Sequence, residues 1–224
     1  CAQVQESQSP VPDWSFWAVL QESAPFVIIQ VMGLVTIQAD ILIVSHFLGA
    51  DSVTTYSVTQ RLFSMPELMI WVFLISLWPA YANAKAEGAW AWVKKTYNKS
   101  LRHLLLLNGA IALGLFIAGA QIIDMWTQGA VNPSGELVAG MAIMVVITAW
   151  SANLAALMNG LGMAKFQAGI AVIFGLINLV LSIYLTTLLG ISGPVWGTVI
   201  SRALMSLFLQ VRLQRHLDVR LAWL

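Results

Sequence analysis

The sequence predicts an all-α integral membrane protein, a bundle of six transmembrane helices, and three observations support this prediction. Of the 224 residues, 59% are hydrophobic and 9% are charged, whereas a soluble domain carries about 25% charged residues. Six stretches reach the roughly 20 apolar residues that a membrane-spanning helix needs. No stretch alternates apolar and polar residues as a membrane barrel strand does. An ordinary soluble enzyme, a nucleic-acid-binding protein and a disordered regulator are therefore excluded.

Short breaks rich in Gly, Pro, Asn and Asp separate the six predicted helices, as turns require. The predicted helices cover residues 24–48, 53–81, 101–126, 137–159, 166–189 and 194–211. Residues 1–12 are expected to form a cytoplasmic linker, residues 13–211 the helical domain, and residues 212–224 a basic cytoplasmic tail. Two segments are expected to lie on the membrane surface, namely residues 13–23 and the basic amphipathic segment 90–101.

The positions of lysine and arginine predict the orientation of the bundle. Nine of the 11 lie in the second and fourth loops or after the sixth helix, and the remaining loops contain none. Because cytoplasmic loops are enriched in Lys and Arg, both termini are expected to be cytoplasmic. This alternation supports the count of six independently of hydropathy.

Ionisable side chains inside a membrane are costly, and they are usually functional or paired. Asp40, Arg61 and Arg202 each lie about eight residues, or roughly 12 Å, from the outer end of a predicted helix. Asp40 and Arg61 lie on consecutive helices and can form a structural ion pair. Arg202 has no acid at its own depth and is expected to face water or an anionic substrate. Glu67 follows Pro66 and is either a proton site or a side chain that reaches cytoplasmic water.

Other side chains near the middle of the membrane allow two interpretations. Trp71 and Trp150 either pack inside the bundle or form a cavity wall that meets a sugar or a lipid. Asn108, Asn153 and Asn178 are expected to make hydrogen bonds between helices. Two stripes of small residues at four-residue spacing are interpreted as close helix contacts, namely Gly193, Gly197 and Ser201, and Ala152, Ala156 and Gly160.

The sequence contains no constellation of catalytic or metal-binding residues. His46 and His103 lie at opposite membrane edges and cannot share a metal ion. A Ser–His–Asp set in a polar setting and a glycine-rich phosphate loop with lysine are both absent. One cysteine, Cys1, excludes a disulfide framework. Because the chain starts there without an initiator Met or a basic segment, we expect it to begin part-way through a longer protein; a mature lipoprotein is the alternative.

Several short motifs follow one another along the chain. They are Gln38-Ala39-Asp40, Phe47-Leu48-Gly49-Ala50-Asp51-Ser52-Val53, Tyr56-Ser57-Val58, Arg61-Leu62, Leu77-Trp78-Pro79-Ala80-Tyr81, Trp92-Val93 and Gly190-Ile191-Ser192-Gly193-Pro194-Val195-Trp196-Gly197-Thr198. In order and spacing, the motifs of the first two predicted helices resemble the seventh and eighth helices of oligosaccharide flippases of the polysaccharide-transporter family. The glycine-rich start of the last helix resembles a late helix of that family. These flippases share a superfamily, called MOP, with multidrug exporters of the MATE type.

The resemblance covers about residues 13–211, and it implies an architecture. Members of the family have 12 or 14 helices in two lobes of six, so the chain resembles one lobe, the C-terminal one, of a two-lobe MATE-like transporter. The missing N-terminal lobe would come from the same full-length chain or from a second copy. No internal repeat would supply two lobes within the chain.

The resemblance also implies a function, which is to flip a polyprenyl-diphosphate-linked oligosaccharide across a bacterial inner membrane by alternating access, for cell-surface polysaccharide synthesis. The side chains expected at the substrate are Arg202, Arg61, Trp71 and Trp150. Asp40 or Glu67 would respond to a coupling ion, and no metal, cofactor or nucleic acid is expected beside substrate and membrane lipids. A MATE-type exporter of cations or drugs, which needs an acidic cavity, and a membrane scaffold without transport remain alternatives. An enzyme acting on lipid-linked sugars is disfavoured because no long polar loop could hold the chemistry.

Overall fold

The computed structural model describes residues 16–222, and its regular elements are all helical. The helices are α1 (Phe16–Leu48), α2 (Ala50–Ile75), α3 (Leu77–Ala86), α4 (Trp90–Thr127), α5 (Gly135–Gly160), α6 (Ala164–Leu189) and α7 (Gly193–Ala222), with a 3-10 turn at Gly190–Ser192. The prediction of an all-α protein is confirmed for these residues. Cys1 and the predicted linker 1–12 lie outside the described residues.

Five stretches of the described chain are long and apolar enough to cross a membrane. They are Val19–Leu48, Ala50–Ala86, Trp90–Thr127, Gly135–Gly160 and Ala164–Arg215. The predicted number of six is not matched. The fifth stretch is 52 residues long and contains both α6 and α7, which the sequence analysis treated as two spans.

The two predicted surface segments are continuous with long helices. From Phe16 onwards, segment 13–23 is part of α1, which continues through Pro25. Segment 90–101 forms the first three turns of α4. No Gly or Pro occurs between residues 90 and 108, so nothing in the sequence ends the helix between the basic segment and the apolar one.

Two further helix ends differ from the prediction. The helix predicted over 53–81 is divided at Ser76, while α2 continues through the buried Pro66. Pro66 therefore causes no break, although a proline removes one hydrogen bond of the helix. At the other end of the chain, α7 extends to Ala222, so the predicted tail is helical as far as it is described.

The connections between helices lie at two opposite ends of the bundle, which we call the turn end and the basic end. At the turn end, Gly49 joins α1 to α2 with a φ of 84°, a left-handed conformation that favours glycine. Also at the turn end, the Ser134 and Ser192 Oγ atoms lie 3.3 Å apart. At the basic end, Lys85 Nζ donates to the Leu161 carbonyl at 2.7 Å. The basic end carries all lysines and arginines except two, namely Lys85, Lys94, Lys95, Lys99, Arg102, Lys165, Arg212, Arg215 and Arg220.

Helix α5 forms the centre of the bundle. In its most apolar window 67% of the residues are buried, compared with 17–28% in the other four candidate spans. The outer helices expose large apolar side chains instead, such as Leu42 on α1, Ile117 on α4 and Val180 on α6. Apolar outer faces are what a bilayer requires, because lipid chains surround the bundle.

Helices α6 and α7 form a tight antiparallel hairpin through small residues. A Cβ atom at Gly197 would lie 2.6 Å from Ser182 Oγ and 2.7 Å from Ser182 Cα, and a Cβ at Gly193 would meet the Thr186 backbone. Neither position can hold a side chain without separating the helices. The packing interpretation of this glycine stripe is confirmed, and the close approach brings polar residues of α6 against α7.

Candidate functional site

The carboxylate of Asp40 lies inside the bundle and accepts hydrogen bonds from three helices. Its side chain is 3% exposed. The hydroxyls of Tyr56 on α2 and Thr198 on α7 donate to Oδ2 at 3.2 and 2.9 Å, and the hydroxyl of Ser182 on α6 donates to Oδ1 at 3.2 Å. Hydroxyl donors thus compensate the carboxylate for its loss of hydration.

A second layer of polar groups surrounds this cluster. Asn178 Nδ2 donates to Thr198 Oγ1 at 2.8 Å and to Ser201 Oγ at 3.2 Å. Ser182 Oγ also lies 3.3 Å from the Pro194 carbonyl oxygen. Because a hydroxyl has one proton, Ser182 cannot donate to Asp40 and Pro194 at once. Ser182 therefore donates to one of these two oxygens at a time.

A proton on Oδ1 of Asp40 would complete the set of hydrogen bonds. The protonated carboxyl could donate to Ser182 Oγ, and Ser182 could then donate to the Pro194 carbonyl. The same oxygen atoms, supplied by carboxylate, hydroxyls and carbonyl, are ligands that a small hard cation also accepts. The geometry is consequently suited to gaining and losing one positive charge.

Two adjoining cavities form a single cleft beside this cluster. The turn-end cavity has a volume of about 510 Å³ and the basic-end cavity about 420 Å³. The residues that line both cavities are Thr36, Ile37, Glu67, Thr148, Thr198 and Arg202. Asp40, Arg61 and Arg202 all line the turn-end cavity, which agrees with the predicted common layer.

Arg202 lies where the two cavities meet. Its side chain is half-buried, and Nη1 donates to Thr148 Oγ1 at 3.0 Å. It also interacts electrostatically with Glu67 and Asp40. Among residues 16–222 neither acid forms an ion pair with Arg202, but both line the same cavity, so the expectation that no acid lies at its depth does not hold. Glu67 lines both cavities beside Arg202.

Arg61 does not form the expected ion pair with Asp40. Its side chain is exposed at the turn-end cavity. Among residues 16–222, the side chains that donate hydrogen bonds to Asp40 are the three hydroxyls described above. The reason is helix rotation. Tyr56 faces Asp40, and Arg61 follows five residues later, which turns it by about 140° around α2.

The two mid-membrane tryptophans have different positions. Trp71 is 48% exposed, lines the basic-end cavity, and donates from Nε1 to Glu67 Oε1 at 3.3 Å. Trp150 is half-buried and donates to Gln210 Oε1 at 3.3 Å. It packs in the apolar cluster of the basic end and does not line the described cleft. The packing interpretation thus applies to Trp150, whereas Trp71 belongs to the cavity wall.

The predicted intramembrane asparagines differ in their bonding. Asn178 joins α6 to α7, and Asn153 Oδ1 accepts from Ser100 Oγ at 2.8 Å, joining α5 to α4. Asn108 donates to the Leu104 carbonyl of its own helix. The prediction of bonds between helices is confirmed for two of the three residues and is wrong for Asn108.

The hydroxyl donors around Asp40 were not predicted as part of the site. Tyr56 and Thr198 were noted only within family motifs, and Ser182 was not singled out. One signal was present, since Asn178, Ser182 and Thr186 recur at four-residue intervals in an otherwise apolar helix. This spacing places three polar side chains on one face. In the described chain, no group of three His, Cys, Asp or Glu side chains could hold a metal ion.

Comparisons with known proteins add two relatives. Two curated proteins, from Salmonella typhimurium strain LT2 and Salmonella typhi, are both named "Putative O-antigen transporter" and are 24% identical to this chain over 193 and 195 residues. The alignments cover 84% and 83% of this chain, but 44% and 43% of the relatives. No protein-family model and no solved structure matches the chain. The chain thus spans less than half the length of the curated relatives it matches, and its similarity to them supports a relationship with polysaccharide transporters.

Proposed function

We propose that this chain is one lobe of a two-lobe transporter that flips a polyprenyl-diphosphate-linked oligosaccharide from the cytoplasmic to the outer leaflet of a bacterial inner membrane. The observation that carries the proposal is the cleft, in which Arg61 and Arg202 lie between helices long enough to cross a membrane. Buried or half-buried cations at such a depth are costly and mark pathways for substrates or ions. The similarity to transporters associated with O-antigen supports the same substrate class.

The two arginines are suited to a diphosphate in different ways. Arg61 is exposed on the rim of the cleft, and Arg202 is held deeper by its hydrogen bond to Thr148. A guanidinium binds phosphate oxygens through two parallel N–H donors. We propose that Arg61 meets the diphosphate first and that Arg202 holds it at the junction of the two cavities. Trp71 would contact sugar or prenyl groups beside Glu67.

Asp40 is proposed to respond to the coupling ion. A proton on Asp40 would let Ser182 donate to the Pro194 carbonyl, and either a proton or a small cation would cancel the negative charge beside Arg202. Arg202 would then interact more strongly with the anionic substrate. Because Asp40 bonds to α2, α6 and α7 together, a change in its charge would reach three helices, as alternating access requires. Glu67 would contribute a second charge to this balance.

The membrane arrangement follows from the same proposal. Helices α6 and α7 contain 26 and 30 residues, or about 39 and 45 Å at 1.5 Å per residue. Each exceeds the roughly 30 Å of the hydrocarbon core, so we propose that the fifth candidate span crosses the membrane twice, which gives six crossings. The basic end would lie in the cytoplasm, with both termini on that side.

A second lobe is proposed to close the cleft. The side formed by α1 and α2 exposes Gln38, Arg61 and Trp71, and these polar and aromatic groups suit a wet cavity better than lipid. The opposing wall would come from further residues of a longer chain or from a second copy. Relatives more than twice as long as the matched region support the first source.

A cation exporter remains the second candidate function. The cleft holds two arginines and two acids, Asp40 and Glu67, so its formal charge is zero when both acids are ionised. This balance of charge does not exclude an exporter, although an exporter needs an acidic cavity. Identification of the transported compound would distinguish a flippase from an exporter.

Deletion of the gene in its host tests the proposal. We expect lipid-linked oligosaccharide to accumulate in membrane extracts and polysaccharide to disappear from the cell surface, measured by mass spectrometry and surface staining. The complete reading frame should restore both. Unchanged polysaccharide with increased sensitivity to cationic dyes would instead identify an exporter, and no change in either readout would contradict any transport role.

The second lobe is tested by expressing the 224 residues alone beside the complete reading frame. The chain alone should reach the membrane, verified by western blotting, without restoring surface polysaccharide, because one wall of the cleft is missing. Full restoration by the 224 residues would contradict the need for a different second lobe and would favour pairing of two copies.

A further inference from the structure

A narrow groove at the basic end lies outside the transport cleft. It runs between the first turns of α4 and the last turns of α7 and has a volume of about 270 Å³. Tyr97, Leu213 and Leu217 form its buried apolar floor, and Lys94, Asn98 and Gln214 line its polar rim. The volume is slightly below the 300–1,000 Å³ of typical ligand pockets. A small polar headgroup with an apolar base fits such a groove better than an oligosaccharide does.

The groove is a fixed feature of the fold. Val93, Tyr97, Leu213 and Leu217 pack in the apolar cluster of the basic end, and the Tyr97 hydroxyl donates to Gln210 on α7. Both helices continue without interruption from the apolar part of the bundle. The two walls of the groove are therefore held together by contacts below it.

The length of α4 puts the groove at the level of lipid headgroups. With 38 residues, α4 is about 57 Å long, whereas the hydrocarbon core is roughly 30 Å thick. Its apolar part starts at Leu104, six residues after Asn98, which is about 9 Å along the axis. Trp92, two residues before Lys94, is 42% exposed, and tryptophan is enriched at membrane interfaces.

The charge of this surface is strongly positive. Lys94, Asn98 and Arg102 recur at four-residue intervals and form one stripe along α4, with the exposed Lys95 and Lys99 beside it. Residues 90–103 contain no Asp or Glu, and residues 212–220 of the facing helix contain three arginines and one acid, Asp218. Basic pockets between membrane helices on the cytoplasmic side attract anionic headgroups, and the position of the groove close to the apolar part of α4 favours a lipid over a free anion.

We propose that the α4–α7 groove binds the phosphodiester headgroup of one anionic phospholipid at the polar rim formed by Lys94, Asn98 and Gln214. The lipid would be a structural partner of the lobe, separate from the transported substrate. This inference does not depend on which compound passes through the cleft, since the groove and the cleft share no lining residue.

Native mass spectrometry of the purified full-length protein tests this proposal, with phosphatidylglycerol, phosphatidylcholine or inorganic phosphate added at equal concentration. We expect one phosphatidylglycerol to remain bound, with little phosphatidylcholine or phosphate. Lys94→Gln combined with Arg102→Gln should weaken retention about 30-fold, since each basic residue near an anionic surface contributes to lipid attraction. The matched control, Lys165→Gln with Arg215→Gln, removes two charges from the same end outside the groove and should retain the lipid.

A second variant separates the groove from general charge. Asn98→Phe fills the groove at an exposed position and keeps every cation, so we expect it to lose the bound lipid while its melting temperature in detergent stays near wild type. Equal losses in the charge variant and its control would overturn the proposal, as would equal binding of phosphatidylcholine. Retention of lipid by Asn98→Phe, or binding of inorganic phosphate as strong as that of the lipid, would overturn it as well.

Discussion

Substitution of Arg202 by alanine is expected to abolish transport and leave the lobe folded. Arg202 is half-buried, and its described hydrogen bond goes to the neutral hydroxyl of Thr148, while Asp40 keeps three hydroxyl donors without it. Hydrogen bonds to charged groups contribute about 1.5–3 kcal/mol each, so loss of a bidentate phosphate contact should lower the transport rate at least about 100-fold. Surface polysaccharide and membrane abundance, measured on the same cells, report the two effects.

Three further variants define the role of the guanidinium. Arg202→Lys should restore only part of transport, because an ammonium keeps the charge and cannot make the bidentate contact. Arg61→Ala should fold normally and reduce transport less, since Arg61 is exposed and has no acidic partner among the described residues. Arg212→Ala, which lies outside the cleft, serves as the control. The two roles would be reversed if Arg202→Ala misfolds while Arg61→Ala folds normally and loses transport completely. Arg61 would then be the main substrate contact, and Arg202 would be structural.

Substitution of Asp40 by alanine is expected to have the largest effect on stability. The hydroxyls of Tyr56, Ser182 and Thr198 are at most 3% exposed, and all three would lose their acceptor. An unsatisfied buried polar group costs about 1–3 kcal/mol, so several kcal/mol of folding free energy are at stake. We expect the melting temperature of Asp40→Ala to fall by 10 °C or more, as a loss of this size implies for about 200 residues.

Asp40→Asn separates the charge of this residue from its structural contacts. The amide keeps one acceptor oxygen in nearly the same volume, so the variant should melt close to wild type. Since the amide cannot take up a proton, transport should no longer respond to the ion gradient. Asp51→Asn, at an exposed position in the first turn of α2, is the control. A melting temperature of Asp40→Ala equal to that of wild type would show that the hydroxyl cluster does not depend on the carboxylate.

The position of these side chains along the helices could be predicted from the sequence, whereas their direction around each helix could not. Counting residues from the helix ends put Asp40, Arg61 and Arg202 in one layer, and all three line the turn-end cavity. Their pairing was wrong because Arg61 faces away from Asp40. A soluble helix reveals its inner face by its apolar stripe, but a membrane helix is apolar towards lipid and towards its neighbours. The sequence of α2 therefore did not indicate which of its faces is turned towards Asp40.

The limits of the helices were predictable only where a strong turn signal occurs. Gly49 and the Gly190–Ser192 turn end helices where the sequence indicated. The basic residues of 90–101 were mistaken for a separate element, because a change from polar to apolar composition does not break a helix. Their hydrogen bonds continue from Trp90 to Thr127 in α4. That continuity is what builds the groove at the basic end.

The polar cluster around Asp40 depends on contacts that join distant parts of the chain. Ser182 and Thr198 lie 142 and 158 residues from Asp40 in sequence. Serine and threonine are common in membrane helices as packing residues, so neither is conspicuous alone. Their role emerges only when the close approach at Gly197 brings α6 and α7 together next to α1.

Site-specific photo-crosslinking tests most directly whether the cleft is the pathway of the substrate. A photoreactive amino acid is placed at Ile37, which lines both cavities, or at Leu42 on the same helix, which is 68% exposed and lines neither. After irradiation of cells labelled with radioactive sugar, we expect the full-length protein to capture lipid-linked oligosaccharide at position 37 and not at position 42, with capture at 37 reduced by Arg202→Ala. Equal capture at both positions, or none at position 37 in cells that accumulate the lipid-linked sugar, would contradict the proposed pathway.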